Sequence, residues 1–133
     1  EARHRGHTQA TSNLGHLYVQ QGQIRKADDL FMEAHRKGHT QATFNLGVLY
    51  QQQGQIGKAE DFFMEAHRKG QTEATFNLGI LHQQQGQLRE AEDFYMEARH
   101  RGHTQATSNL GHLYVQQGQI RKADDLFMEA HRK

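Results

Sequence analysis

Histidine is the residue type in this sequence that most readily suggests chemistry, because the chain contains 11 of them. Neutral imidazole is a common metal ligand, and the pairs His35/His39 and His100/His103 lie close together across the ends of predicted helices. However, no acidic or thiolate partner recurs at a fixed spacing from these pairs, and the chain has no cysteine. A protein metal site usually needs three or four such ligands. The sequence therefore predicts no metal site and no cofactor.

The sequence also lacks recognisable catalytic motifs. It contains no Ser-His-Asp spacing, Gly-rich phosphate loop or paired-carboxylate motif, and an active site needs unlike residues that converge once. The net charge of +1 provides no strong field for nucleic acid or an acidic membrane. No apolar run approaches the length that spans a membrane. We therefore predict a protein that is not an enzyme and that binds no nucleic acid, membrane or small-molecule substrate.

The organisation of the chain follows a period of 32 residues. Residues 1–5 form a partial repeat, and four full repeats then align without gaps at 6–37, 38–69, 70–101 and 102–133. Residues 1–37 are identical to residues 97–133, so a period of 96 residues overlies the shorter one. Fixed periods of this size are typical of solenoids. We predict a single repeat array over residues 1–133, and its start inside a helical pattern suggests a segment of a longer protein.

Each repeat predicts two helices. In repeat 38–69, Ala42, Leu46 and Leu49 share one face of a first helix, and a second helix begins near Ile56. Thr40 is the expected N-cap. Counting the partial repeat at Glu1–Arg5, we predict an all-α fold with nine helical segments. The helices should break near Gly22, Gly38, Gly54, Gly70, Gly86, Gly102 and Gly118, through left-handed C-terminal caps.

Recurrent small and apolar residues predict the core. Leu14 and Leu17, with their equivalents in the later repeats, should pack inside the array, as should Ala27 and the aromatic Phe31 with their equivalents. A glycine recurs in the middle of every first helix, at Gly15, Gly47, Gly79 and Gly111. Because glycine there costs about 1 kcal/mol against alanine, these positions predict a close helix–helix crossing. His82 replaces the tyrosine of the other repeats, and we interpret it as a packing histidine, with a pH-sensitive site as the alternative.

The pattern Asn45-Leu46-Gly47-x-x-Tyr50-x-x-x-Gly54, followed by Ala59, Phe63 and Ala66, resembles the tetratricopeptide repeat. The junction Lys69-Gly70-x-x-x-Ala74-x-x-x-Leu78-Gly79 is similar to the Sel-one-like variant of that family. The likeness covers all four repeats. Two features depart from the family pattern, because the period is 32 rather than 34 residues and the junctions contain no proline. The superhelical pitch of the family therefore cannot be transferred to this chain.

The resemblance implies an α-solenoid of antiparallel helix pairs in a right-handed superhelix, whose first helices line a concave face that binds a protein or peptide. The residues that match this face are Asn13, Asn45, Asn77, Asn109, Phe44, Val48, Phe76, Ile80, Gln52 and Gln84. For the asparagines, the alternative is a hydrogen bond to a neighbouring helix backbone. For Phe44 and Phe76, the alternative is packing between adjacent repeats. The basic pairs of carboxylate-clamp members are missing, so acidic C-terminal peptides are not expected as ligands.

Two functions remain open from the sequence. One is a binding scaffold with a concave groove. The other is a structural array, in which further copies of the same repeats stack end to end into a rod or fibre. The identity of residues 1–37 and 97–133 favours the second function, and an engineered repeat protein would also explain it. The Gln- and His-rich surface argues against design, which favours Glu and Lys.

Overall fold

The computed structural model describes the backbone of residues 2–132 and the side chains of residues 10–131. Within this part of the chain the backbone forms eight α-helices and no strand. The all-α prediction is therefore confirmed. The helices are α1 (Ala2–Gln20), α2 (Ile24–Arg36), α3 (Thr40–Gln52), α4 (Ile56–Arg68), α5 (Thr72–Gln84), α6 (Leu88–His100), α7 (Thr104–Gln116) and α8 (Ile120–Arg132).

The helices end on glycine caps, as the sequence predicted. After α3, Gly54 has a φ of +78°, which glycine adopts without the steric cost of a side chain. The N–H of Gly54 donates to the carbonyl of Gln51 at 3.0 Å, and that of Gln55 donates to Tyr50 at 2.9 Å. These two bonds define the Schellman motif. All seven predicted breaks are confirmed, since positive φ recurs at Gly22, Gly38, Gly70, Gly86, Gly102 and Gly118.

The first helices begin one residue earlier than the prediction from Thr40. His39 is the N-cap of α3, with φ −81° and ψ 110°, and Thr40 is already helical. The carbonyl of His39 accepts the N–H groups of Ala42 at 3.1 Å and Thr43 at 3.3 Å, so helical hydrogen bonding starts from that residue. The assignment of Thr40 as N-cap is therefore wrong.

The partial repeat does not form a ninth helix. α1 runs unbroken from Ala2 through Gly6 to Gln20, whereas the equivalent Gly38 ends α2. A helix break at Gly6 would leave backbone N–H and C=O groups without intrahelical partners on both sides of it. Continuing α1 satisfies the same backbone groups within one helix. The prediction of nine segments is thus wrong for this stretch, and its first residue lies outside the described part of the chain.

Contacts group the chain into two compact units, Glu1–Lys69 and Gly70–Lys133. In the first unit α1 packs on α2, α2 on α3, and α3 on α4. In the second unit the same order of contacts links α5, α6, α7 and α8. Each unit therefore holds two helix pairs and the joint between them.

Within each helix pair, a glycine of the first helix meets an aromatic ring of the second. A Cβ atom at Gly47 would lie 2.5 Å from two ring carbons of Phe63, although carbon atoms in contact normally keep about 3.5–4.0 Å. Phe63 and its neighbour Ala59 are fully buried. The predicted close crossing is confirmed, and it recurs between Gly15 and Phe31, Gly79 and Tyr95, and Gly111 and Phe127.

Two of the predicted core leucines are not buried. Leu14 is 41% exposed and Leu17 is 47% exposed, whereas their equivalents Leu46 and Leu49 are 0% and 2% exposed. Leu46 and Leu49 pack with Ala27 and other residues of α2, the second helix of the preceding repeat. No such helix precedes α1 in the described part of the chain. The core prediction is confirmed for the later repeats and wrong for α1.

Candidate functional site

The residues of the predicted binding face differ in exposure within the first unit. Asn13 on α1 and Gln52 on α3 are exposed, whereas Phe44 and Val48 are half-buried. Asn45 is only 3% exposed. The face of this unit is therefore polar at its exposed positions, with one asparagine set beneath the surface.

Asn45 has an incompletely satisfied side chain. Gln41 donates from Nε2 to Asn45 Oδ1 at 3.1 Å, but the buried Nδ2 of Asn45 has no hydrogen-bond partner. A buried polar group left unpaired costs about 1–3 kcal/mol. The Asn45 amide is thus a donor that could be satisfied by an acceptor from outside the chain.

A cavity of about 50 Å³ lies next to this amide, between the first helices of the two repeats. It brings together Asn45, Val48 and Gln52 of the predicted face, and neither Asn13 nor Phe44 lines it. The ring of Phe44 instead lies 5.7 Å from that of Phe63. The remaining lining residues, which the sequence did not single out as part of a site, are His16, Val19, Phe31 and Leu49.

The predicted face of the second unit is more closed. Phe76 is 7% exposed and belongs to the core, and its ring stacks on His103 of the next repeat at 4.3 Å. This contact agrees with the alternative that Phe76 packs between repeats. Ile80 also packs against that core, while Asn77 is half-buried and Gln84 exposed.

Polar side chains in the second unit occupy the place that corresponds to the cavity. Tyr95 and Gln83 stand where the first unit has Phe31 and Val19. Tyr95 Oη donates to Gln83 Oε1 at 2.6 Å, and Gln83 Nε2 donates to Gln116 Oε1 at 3.0 Å. Burial raises the pKa of Tyr95, and a hydrogen bond with Asn109 opposes this rise. Asn109, the counterpart of Asn45, is therefore engaged inside the chain, and its Oδ1 also accepts from Gln105 at 3.0 Å.

In this network Gln83 is half-buried and bonded on both sides, to Tyr95 and to Gln116. The signal in the sequence was the variation at one position between otherwise similar repeats, which hold Val19, Gln51, Gln83 and Val115 there. The change from Phe31 to Tyr95 was visible as well. What the sequence did not reveal is that the two changes meet in space.

Histidines near the repeat junctions have specific structural partners. Nδ1 of His35 lies 2.7 Å from Thr43 Oγ1, and its ring meets Phe62 edge-on. Nδ1 of His103 accepts the N–H of Ala106 at 3.1 Å, so its Nε2 carries the proton and donates to Glu73 at 2.9 Å. Among the described side chains, no three His, Asp or Glu residues converge as a metal site would require.

His82 is a packing residue, although it is half-buried rather than enclosed. Its ring stacks on Phe94 at a centroid distance of 5.3 Å, and Nδ1 bonds the side chain of Gln87. These contacts agree with the interpretation of His82 as a packing histidine.

Tyrosine–carboxylate bonds join adjacent repeats. Tyr50 donates to Asp28 and Tyr114 donates to Glu92, each at 2.7 Å. The bond to Asp28, helped by burial, raises the pKa of Tyr50 to about 12. For Tyr114, burial and then the bond to Glu92 raise the pKa to about 12. The neutral phenol is the form that holds each joint.

No described helix is long and apolar enough to cross a membrane.

Repeated helix pairs with glycine caps and aromatic–glycine crossings define a helical-repeat protein. The family model of the tetratricopeptide repeat matches residues 9–34, 40–66 and 105–130, and a second tetratricopeptide repeat model matches residues 77–102. The chain belongs to the tetratricopeptide repeat family. No protein with a curated description matches it.

Solved structures share this fold. PilF of Pseudomonas aeruginosa aligns with a TM-score of 0.82 and 21% identity, over 99% of this chain and 63% of its own. BtubC (BKLC) of P. vanneervenii aligns with a TM-score of 0.77 and 23% identity, over 94% of this chain and 62% of its own. MamA aligns with a TM-score of 0.79 and 19% identity, over 94% of this chain and 77% of its own. The chain thus spans less than two thirds of the length of PilF and of BtubC. These likenesses show an α-solenoid fold. The tetratricopeptide repeat family, to which the chain belongs, is typical of scaffolds for protein–protein interaction and generally not of enzymes.

Proposed function

We propose that this chain is a non-enzymatic scaffold that binds an extended peptide segment of a protein partner on the first helices of its first unit. The observation that carries the proposal is the unpaired Nδ2 of Asn45 beside a cavity of about 50 Å³. That volume admits a small polar group such as a peptide carbonyl, and the carbonyl oxygen would accept the free N–H. Nucleic acid, membranes and small-molecule substrates are not proposed as partners.

The surroundings of Asn45 indicate the chemistry of the segment. The cavity walls combine apolar Val19 and Val48 with the neutral amide of Gln52 and the imidazole of His16, and they include no Lys, Arg, Asp or Glu. The segment should therefore be uncharged and partly apolar. The second unit is a weaker candidate, because its equivalent asparagine, Asn109, also hydrogen-bonds Tyr95 inside the chain.

Selection from a phage-displayed library of short peptides tests this proposal. Binders should be uncharged and partly apolar, and fluorescence anisotropy should show affinity falling about 5- to 10-fold for Asn45→Ala, the value of one hydrogen bond to a buried uncharged donor. Asn109→Ala is the matched control and should leave affinity unchanged. A library without binders, or binders indifferent to Asn45→Ala, would contradict the proposal.

A second candidate function is end-to-end assembly into a continuous array. It is favoured by the identity of residues 1–37 and 97–133 and by the exposed Leu14 and Leu17, whose equivalents elsewhere are buried. A head-to-tail contact whose rotation does not close a ring propagates into a filament. Light scattering across a concentration series tests it, because a fused polar capping helix should keep the chain monomeric while the uncapped chain grows in mass.

A further inference from the structure

α8 repeats the sequence of α2 and exposes the residues that α2 turns toward α3. Both helices read IRKADDLFMEAHR. On α8, an open depression of about 470 Å³ is lined by Asp124, Phe127, Met128 and His131. The residues at the same places on α2 are Asp28, Phe31, Met32 and His35.

On α2 these four positions form the joint with α3. Asp28 accepts the hydroxyl of Tyr50 at 2.7 Å, and His35 bonds Thr43 at 2.7 Å. Between these two polar contacts, Phe31 packs with leucines of α3, and Met32 packs beside them. The α2–α3 joint is therefore a complete template for what the α8 face can bind.

The chain also carries the other half of this joint on α1. Thr11, Leu14, Leu17 and Tyr18 hold the places that Thr43, Leu46, Leu49 and Tyr50 hold on α3. Leu14 and Leu17 are 41% and 47% exposed, whereas their counterparts on α3 are buried. One sequence thus contains both sides of an interface, each with its apolar centre open.

We propose that α1 of a second copy docks on α8 in the register of the α2–α3 joint. Tyr18 of the incoming copy bonds Asp124, Thr11 bonds His131, and the two leucines cover Phe127 and Met128. The inference rests on the end-to-end assembly proposed above and adds the residues and the register. In the 133-residue chain this contact is head-to-tail, so it adds copy after copy as long as its rotation does not close a ring.

Two variants of the 133-residue chain test the register. Leu17→Glu places a charge at the centre of the α1 half, and Met128→Glu places one in the α8 half. In multi-angle light scattering, the unchanged chain should grow in mass with concentration, and each variant alone should remain monomeric. Met96→Glu is the matched control, because Met96 holds the same repeat position on α6, which already packs against α7 within the chain, and its side chain is 42% exposed there. This variant should assemble like the unchanged chain.

An equimolar mixture of the two variants gives the decisive result. The intact α8 of the Leu17→Glu chain can dock the intact α1 of the Met128→Glu chain, and no further contact is possible. The mixture should therefore stop at twice the monomer mass. Circular dichroism checks folding, and Leu17→Gln with Met128→Gln replaces any variant that fails to fold.

Each other result overturns a defined part of the inference. An unchanged chain that stays monomeric at every concentration overturns both the end-to-end assembly and this joint. Assembly that persists in Leu17→Glu and Met128→Glu, or a mixture that does not dimerise, overturns the joint while end-to-end assembly through other residues stands. Loss of assembly in Met96→Glu also overturns the joint, because the effect would not be specific to the end faces.

Discussion

Replacing Gly47 by alanine is expected to destabilise the chain, although alanine is the better helix former. The new Cβ would lie 2.5 Å from the Phe63 ring, about 1 Å closer than carbon atoms normally approach. The ring is fully buried, so it has no solvent-facing space into which it can move. Overpacking of this kind costs about 1–3 kcal/mol, and the gain in helix propensity is about 1 kcal/mol. The net loss should be about 0–2 kcal/mol.

Gly57→Ala is the matched control for this prediction. Gly57 also lies in a helix, but a Cβ added there meets no atom within 4 Å. It should therefore gain up to about 1 kcal/mol from propensity alone. Thermal unfolding followed by circular dichroism should place the midpoint of Gly57→Ala above that of the unchanged chain and that of Gly47→Ala below it.

The double variant Gly47→Ala/Phe63→Leu separates the clash from other effects. A leucine leaves room for the new methyl group, so Gly47→Ala should cost less in the Phe63→Leu background than in the unchanged chain. A double-mutant cycle measures this coupling. Equal costs in both backgrounds, or a rise in the midpoint for Gly47→Ala, would refute the assignment of a tight glycine–aromatic crossing.

Further variants probe the core, the joints and the face. Ala59→Leu should lower the thermal midpoint more than Gln52→Leu, because Ala59 is fully buried and Gln52 exposed, and equal shifts would contradict the assigned faces. Asn45→Ala should leave stability to urea unchanged or raised, since it removes an unpaired buried amide, whereas Asn109→Ala should lower that stability. A large loss of stability for Asn45→Ala would contradict the assignment, because it would show that the Asn45 amide has a hydrogen-bond partner. The raised pKa of Tyr50, about 12 against 10.0, means that the unfolded chain ionises first. The stability from this phenol is full below pH 10 and lost between pH 10 and 12, so Tyr50→Phe should flatten the alkaline fall in urea stability, and an unchanged fall would argue against the bond to Asp28.

Features that depend on one repeat could be predicted from the sequence. The Gly54 cap and the Gly47–Phe63 crossing each follow from local spacing and residue size, and every repeat presents the same evidence. Features that depend on a neighbouring element were predicted less well. Leu14 has the same local pattern as Leu46, but its burial is decided by whether a helix packs over it.

The candidate site could be predicted only in part for the same reason. Periodicity placed Asn45 and Asn109 on equivalent faces, and nothing in their local sequence distinguishes them. Their hydrogen bonding differs because Tyr95 and Gln83 fill the second unit, where Phe31 and Val19 leave space in the first. Such differences depend on side chains that are far apart in the sequence and adjacent in the fold.

The contact between Gly47 and Phe63 also constrains how such a chain can evolve. A point mutation that enlarges the glycine is penalised unless the ring becomes smaller at the same time, so each partner restrains drift at the other. Both members lie within one repeat, and duplication of a whole repeat therefore copies a matched pair in a single event. Lengthening by duplication keeps every crossing intact, whereas gradual substitution must pass through a clash. The identical segments 1–37 and 97–133 are the kind of record that growth by copying leaves.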